Sequence, residues 1–176
     1  MQIRVATKED VDAIRSVHIS AFSEAESALI AKLAVELLSE ETNPPVLSLV
    51  AETDGEVVGH VALSPVMLDG TETCIGQILA PLAVAPNHQG CGIGTRLIKS
   101  GIEQVSKFGG EVLLVYGDPE YYGRFGFRVE TATDYLPPYP LQYPFGWQGI
   151  DFRQGEQDRQ TVRIACVASL SLPVLW

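Results

Sequence analysis

Leu79-Ala80-Pro81-Leu82-Ala83-Val84-Ala85-Pro86-Asn87-His88-Gln89-Gly90-Cys91-Gly92-Ile93-Gly94-Thr95 begins as an uninterrupted apolar strand and ends at the head of a helix. Pro86-Asn87-His88 stops the strand. Ile93, Leu97, Ile98, Ile102 and Val105 then recur at helical spacing, which predicts a helix from about Gly92 to Phe108 that Gly109-Gly110 terminates. The first turn of a helix carries free backbone N–H groups and the positive end of the dipole. Glycines let an anion approach those donors closely. The turn therefore suits a phosphate or a pyrophosphate.

Several phosphate loops share this outline. A Walker A loop needs Lys and then Ser or Thr after its last glycine, and here Gly94 is followed by Thr95 and Arg96. A dinucleotide fingerprint fits Gly90 and Gly92, but Thr95 stands where its third glycine belongs, and three strands come before the one that leads into the turn, where the fingerprint follows the first strand. A third pattern, Gln or Arg, two residues, Gly, one residue, Gly or Ala, is matched by Gln89, Gly92 and Gly94. By itself the pattern is also compatible with a tight turn that binds nothing.

Outward from the turn, Ile3 to Ala6 alternates as a short strand, and Thr7-Lys8-Glu9-Asp10 has the pattern of a helix cap. Helices are expected from about Lys8 to Phe22 and from Glu24 to Ser39, the second ended by Asn43-Pro44-Pro45. Strands follow at Leu47–Thr53, Val57–Leu68 and Thr73–Val84, separated by the turns Asp54-Gly55 and Asp69-Gly70. After the helix come a buried strand at Val112–Tyr116, a helical turn at Asp118–Arg124, a strand at Phe125–Glu130 and a last strand at Thr161–Ser169. Residues 132–158, with four prolines and several aromatics, read as a long irregular segment that can hold short strands. The order β-α-α-β-β-β-α-β-α-β-β, in one domain spanning residues 1–176, predicts an α+β (α/β mixed) fold around one mixed, mostly antiparallel sheet flanked by helices.

Two stretches carry a family resemblance. Residues 79–90 resemble the motif in which the fourth strand of GNAT N-acetyltransferases runs into the pyrophosphate loop. Gly117-Asp118-Pro119-Glu120-Tyr121-Tyr122-Gly123-Arg124-Phe125-Gly126-Phe127 is similar to a second GNAT motif, where a Tyr stands four residues before a Gly-Phe pair. The wording of both resembles that of a bacterial subgroup of poorly defined substrate. The resemblance covers roughly residues 3–130. It implies a sheet that splits between the fourth and fifth strands, with acetyl-CoA as acyl donor. Its pantetheine arm would lie along Leu82, Ala83 and Val84, and its pyrophosphate on the turn from Gln89 through Gly90, Cys91, Gly92, Ile93 and Gly94 to Thr95. Asp118-Pro119 departs from the family, in which many members carry an Asn and a longer helix before the Tyr.

The same resemblance implies direct attack of an amine on the thioester. The backbone N–H of Val84 would polarise the carbonyl, and Tyr122 would protonate the departing thiolate. A packing role for Tyr122, with its hydroxyl bonded to backbone, is the competing reading. The general base stays open. Glu26 opens the helix that borders the acceptor cleft in relatives, with Glu24 beside it, and both also fit a solvated first turn. His60 reads as a buried, satisfied histidine, and Asp118 as a helix cap. Cys91 sits at a helix N-terminus, where a thiol becomes more acidic, yet the ligands of such a turn are backbone groups. Tyr135, Tyr139, Tyr143, Phe145 and Trp147 would wall an acceptor pocket, cover a sheet edge or form a dimer contact.

Composition narrows the functions further. Twelve basic residues are scattered among twenty-two acidic ones for a net charge of −10, which argues against nucleic acid and suits cationic amines. Cys74, Cys91 and Cys166 are far apart and form no metal-ligand spacing, so neither a disulfide framework nor a metal site is expected. The first residues lack the apolar run of a secretory signal, and Ile164–Trp176 is too short to span a bilayer, which predicts a cytoplasmic protein with no membrane association. A homodimer is compatible with the family. The expected activity is N-acetyltransferase, with a non-catalytic acyl-CoA-binding or regulatory domain as the alternative.

Overall fold

Turn residues and strand breakers partition this chain almost where its elements end. The computed structural model describes residues 1–153 and 160–176. Among these residues, eight strands form one sheet in the order β1-β2-β3-β4-β5-β7, with β8 beside β3 and β6 beside β8. The chain divides into two compact units, Met1–Leu63 with Ala80–Gly101, and Ser64–Leu79 with Ile102–Trp176.

In the first unit, β1 (Gln2–Val5) pairs antiparallel with β2 (Leu47–Thr53), which pairs antiparallel with the first half of β3 (Glu56–Leu68). Asp54 and Gly55 join β2 to β3 with φ of +54° and +83°, the left-handed pair that a two-residue hairpin requires. The region expected as one helix from Lys8 is a 3-10 turn, Lys8–Asp10, followed by α1 (Val11–Ala21). Arg4 grips Asp10 through two 2.8 Å bonds and Glu52 through a third of 2.8 Å, tying β1, this turn and β2 together. α1 packs on α2 (Glu24–Ser39), and Ile14, Ala34 and Val50 form a fully buried core between helices and sheet. The last residues of β4 (Cys74–Val84) and the start of α3 (Ile93–Lys107) complete the unit.

In the second unit, the end of β3 pairs antiparallel with β8 (Val162–Cys166), which also holds the two-residue β6 (Tyr135–Leu136) in parallel. The first residues of β4 pair in parallel with β5 (Val112–Tyr116) over Gly76–Ile78 and Val112–Leu114, while β4 itself continues to Val84. On its other edge β5 pairs antiparallel with β7 (Trp147–Asp151) along its whole length.

One expectation needs correction. Phe125–Glu130 is not a strand. After the short α4 (Pro119–Tyr122), Gly123–Phe125 forms a 3-10 turn that Gly126 ends at φ +95°, and Val129–Ala132 is a helical turn, α5. The edge of β5 that a strand there would need is taken by β7. Only Arg128 keeps a bridge, to Gly149, with N···O distances of 2.8 and 2.9 Å. The short strands that residues 132–158 could hold are β6 and β7, with a 3-10 turn at Pro144–Gly146 ahead of β7; residues 154–158 of that segment lie outside the described residues. The observed order is therefore β-α-α-β-β-β-α-β-α-α-β-β-β, and the last strand ends at Cys166, before a 3-10 turn at Ala168–Leu170.

Candidate active site

The glycine turn is built from the end of β4 and the head of α3. Pro86–His88 forms a 3-10 turn in which the His88 N–H donates to Ala85 O at 2.8 Å. The Gln89 side-chain amide then reaches back to donate to Val84 O at 3.0 Å, so the strand end and the turn brace each other. Gly90 and Gly92 adopt φ of +75° and +78°, and a Cβ on either would meet nothing within 4 Å. Open space beside two left-handed glycines leaves the backbone amides approachable. Helical hydrogen bonding starts with Arg96 N–H to Gly92 O at 3.1 Å, so the amides of Ile93, Gly94 and Thr95 precede the ladder. Ile93 is buried and anchors the helix start, whereas Gly90, Cys91, Gly92 and Arg96 are exposed. The Cys91 thiol is directed at Gln89 O, 3.6 Å away. Gly59 of β3 lets α3 approach, since a Cβ there would lie 3.1 Å from both Ile93 Cγ2 and Leu97 Cδ1. Leu82 is half-buried and Ala83 buried within β4.

Tyr122 belongs to the second unit. Asp118 caps α4 by accepting from the Glu120 N–H at 2.9 Å, with Pro119 at the first helical position, and the Tyr122 N–H donates to Asp118 O at 3.0 Å. The ring sits edge-to-face with Tyr121 (5.1 Å) and Phe127 (5.6 Å). Desolvation, aided by Tyr121 and Asp118, pushes the phenol pKa well above its ordinary value. The phenol therefore stays protonated at neutral pH and is available as a donor.

The family model for the acetyltransferase (GNAT) domain matches residues 2–129. This chain belongs to the GNAT acetyltransferase family. The GNAT chain is 39% identical to the uncharacterized N-acetyltransferase YjhQ of Escherichia coli (strain K12) over 139 residues, which span 78% of this chain and 75% of that protein. It is 36% identical to the uncharacterized N-acetyltransferase YhbS of the same strain over 136 residues, 76% of this chain and 77% of that protein. Among solved structures, YhbS from Escherichia coli in complex with CoA superposes with a TM-score of 0.82 at 28% identity, covering 97% of this chain and 92% of that one. A GNAT acetyltransferase from Brucella melitensis in complex with acetyl-CoA gives 0.73 at 31% identity, covering 96% and 97%. The chain is thus an acyltransferase with the GNAT fold.

Other sequence candidates in this GNAT domain fall into place differently. Glu26 is exposed in the first turn of α2 and accepts a 2.7 Å hydrogen bond from the Ser23 hydroxyl. His60 is fully buried, its Nε2 2.7 Å from Ser48 Oγ and its Nδ1 2.8 Å from His18 Nε2. The aromatic stretch is mostly structural. Trp147 is buried and donates to Tyr135 O at 2.8 Å, and Tyr139 donates to Ser171 O at 3.0 Å, leaving Tyr143 and Phe145 exposed. Among the described residues, no group of three or more His, Cys, Asp and Glu is placed to hold a metal ion, and no helix is long and apolar enough to cross a membrane.

Sequence reading missed Gly117 and Gln148. A Cβ on Gly117 would lie 2.5 Å from Tyr122 Cε2, and the buried Gln148 amide donates to Gly117 O at 3.3 Å. The Gly at the head of the second motif was the available signal for the first. Nothing in the sequence pointed to the second.

Proposed function

We propose that this GNAT enzyme acetylates a primary amine by direct attack on acetyl-CoA, and that the turn Gln89–Thr95 holds the donor's pyrophosphate. The observation that carries this reading is the pair of unobstructed left-handed glycines at the head of α3, where the free amides of Ile93, Gly94 and Thr95 begin the helix. The CoA and acetyl-CoA complexes of the similar Escherichia coli and Brucella proteins support it. Arg96, exposed in the same first turn, adds a positive charge suited to phosphate.

In this reading the amine nitrogen attacks the thioester carbon, a C–N bond forms and the C–S bond breaks. Leu82, Ala83 and Val84 of β4 line the donor's arm, and the Val84 N–H donates to the carbonyl oxygen. Tyr122 Oη–H gives its proton to the departing sulfur, and the proton lost by the attacking amine passes through Glu26 or solvent and restores the phenol. The three free cysteines support a reducing, cytoplasmic setting.

The test follows free thiol from acetyl-CoA in the presence of polyamines, amino acids and peptides with free N-termini. Release that requires an amine is expected. Gly92→Asp combines left-handed strain with a charge facing the phosphates, and is expected to weaken acetyl-CoA binding about tenfold or more, which corresponds to only about 1.4 kcal/mol. Unchanged affinity in a folded Gly92→Asp would remove the turn from the donor site. Tight acetyl-CoA binding without turnover on any acceptor would instead make the domain a binding module.

A further inference from the structure

Gly117 follows β5 and faces the ring of Tyr122. It does not occupy the left-handed region, so left-handed strain is not what selects glycine here. Space is what excludes a side chain, because a Cβ would lie 2.5 Å from Tyr122 Cε2 and 3.1 Å from Cδ2. Carbon–carbon contact needs about 3.5 Å, so an added methyl would displace the ring by about 1 Å. The ring has little room to yield, with Tyr121 and Phe127 edge-to-face on it and Phe127 only 1% exposed.

Gly117 is itself held in place. Its N–H donates to Gly146 O at 2.9 Å, and its carbonyl accepts from Gln148 Nε2 at 3.3 Å. Gln148 is 1% exposed, and its amide also lies 3.4 Å from Gly146 O. A buried polar side chain spent on two backbone carbonyls at one chain crossing is a device for geometry, since an apolar residue would fill the same volume without the desolvation cost.

We propose that Gly117, clamped by Gln148, is a positioning residue for Tyr122. Its missing side chain sets where the ring lies, and so where the phenolic oxygen points. The inference rests on the reading of Tyr122 as the acid that protonates the departing sulfur. Proton donation works over a heavy-atom window of about 2.6–3.2 Å, so a ring moved by about 1 Å loses it. Misplacement of that size costs on the order of 10²-fold in rate.

The test compares Y122F, G117A, Q148M and the double variant G117A/Y122F, using acetyl-CoA and the amine that turns over fastest in the panel above. Y122F is expected to lower kcat by about 10²-fold. G117A should lower kcat on the order of 10²-fold, with KM for acetyl-CoA essentially unchanged and a cooperative melt retained. The double variant should be no slower than Y122F alone. Losses that multiply in the double variant, or a G117A effect confined to KM, overturn the inference and leave the Tyr122 reading standing. Wild-type kcat in Y122F overturns both. If G117A does not fold, Q148M carries the same comparison, and a folded Q148M with wild-type kcat overturns the clamp. A second readout needs no acceptor. In spectra of ring-13C tyrosine, assigned through Y122F, G117A should shift the Tyr122 signal and leave that of Tyr139 in place, and an unmoved Tyr122 signal overturns the inference.

Discussion

His18, His60 and Ser48 show how single residues acquire meaning only in pairs. His60 sits in β3, a strand of otherwise apolar character, and bonds Ser48 of β2 on one side and His18 of α1 on the other. Both imidazoles are fully buried, and desolvation lowers their pKa values to about 4 for His18 and about 3 for His60, where a charge on His18 opposes a second one. The folded protein therefore holds them neutral, while the unfolded chain takes up protons near pH 6.5. Stability is complete above that value and is lost as pH falls from about 6.5 toward 4, by about 1.4 kcal/mol per pH unit for each histidine. Asp10 acts later and for a different reason. Its hydrogen bonds to Arg4 hold its pKa at about 2, so its contribution fades only below about pH 4. Urea unfolding at pH 7 and pH 5 should show a clear drop in midpoint for the wild type and a smaller drop for His60→Gln. A flat midpoint between these pH values would contradict the burial of the pair. The sequence reading anticipated a satisfied, buried His60; that its partner would be a histidine 42 residues away was not visible in either local pattern.

At the level of elements, the parallel contact of β4 with β5 depends on Gly76. A Cβ there would run into Val112 O and lie 2.6 Å from Val112 Cγ1, atoms of a fully buried residue with no room to retreat. Gly76→Ala should therefore destabilise the protein by about 1–3 kcal/mol or more, as overpacking does. Denaturant midpoints compared with those of Gly70→Ala, where a Cβ meets nothing within 4 Å, separate crowding from the cost of a left-handed φ. The glycine turn was legible as an element because its signal is local: an apolar strand, a breaker, then glycines at the head of an amphipathic helix. β7 was not legible. Trp147-Gln148-Gly149-Ile150-Asp151 follows a run of prolines and aromatics and resembles loop sequence, and only the free edge of β5 makes it a strand. Phe125–Glu130, with its better strand propensity, lost that edge, and Phe127 became a buried anchor beneath Tyr122.

For the molecule as a whole, a net charge of −10 is the property that reaches furthest into solution. An acidic enzyme draws cationic amines by long-range attraction, and salt screens that attraction over about 8–10 Å. KM for a polyamine acceptor should rise several-fold between about 0.05 and 0.5 M salt, where the Debye length shortens, while KM for a neutral amine changes little. Equal salt dependence for both would show that net charge plays no part in acceptor choice. Residue order alone was enough for the family and the course of the chain through α3, because these depend on local spacing: periodicity, glycines at a helix head, a Tyr ahead of Gly-Phe. Tertiary structure alone decided the edge on which β7 lies, the His18–His60 pair and the Gly117–Gln148 clamp on Tyr122. Each of these joins residues remote in sequence, and a hydrogen bond or a forbidden Cβ between remote positions leaves no local pattern along the chain.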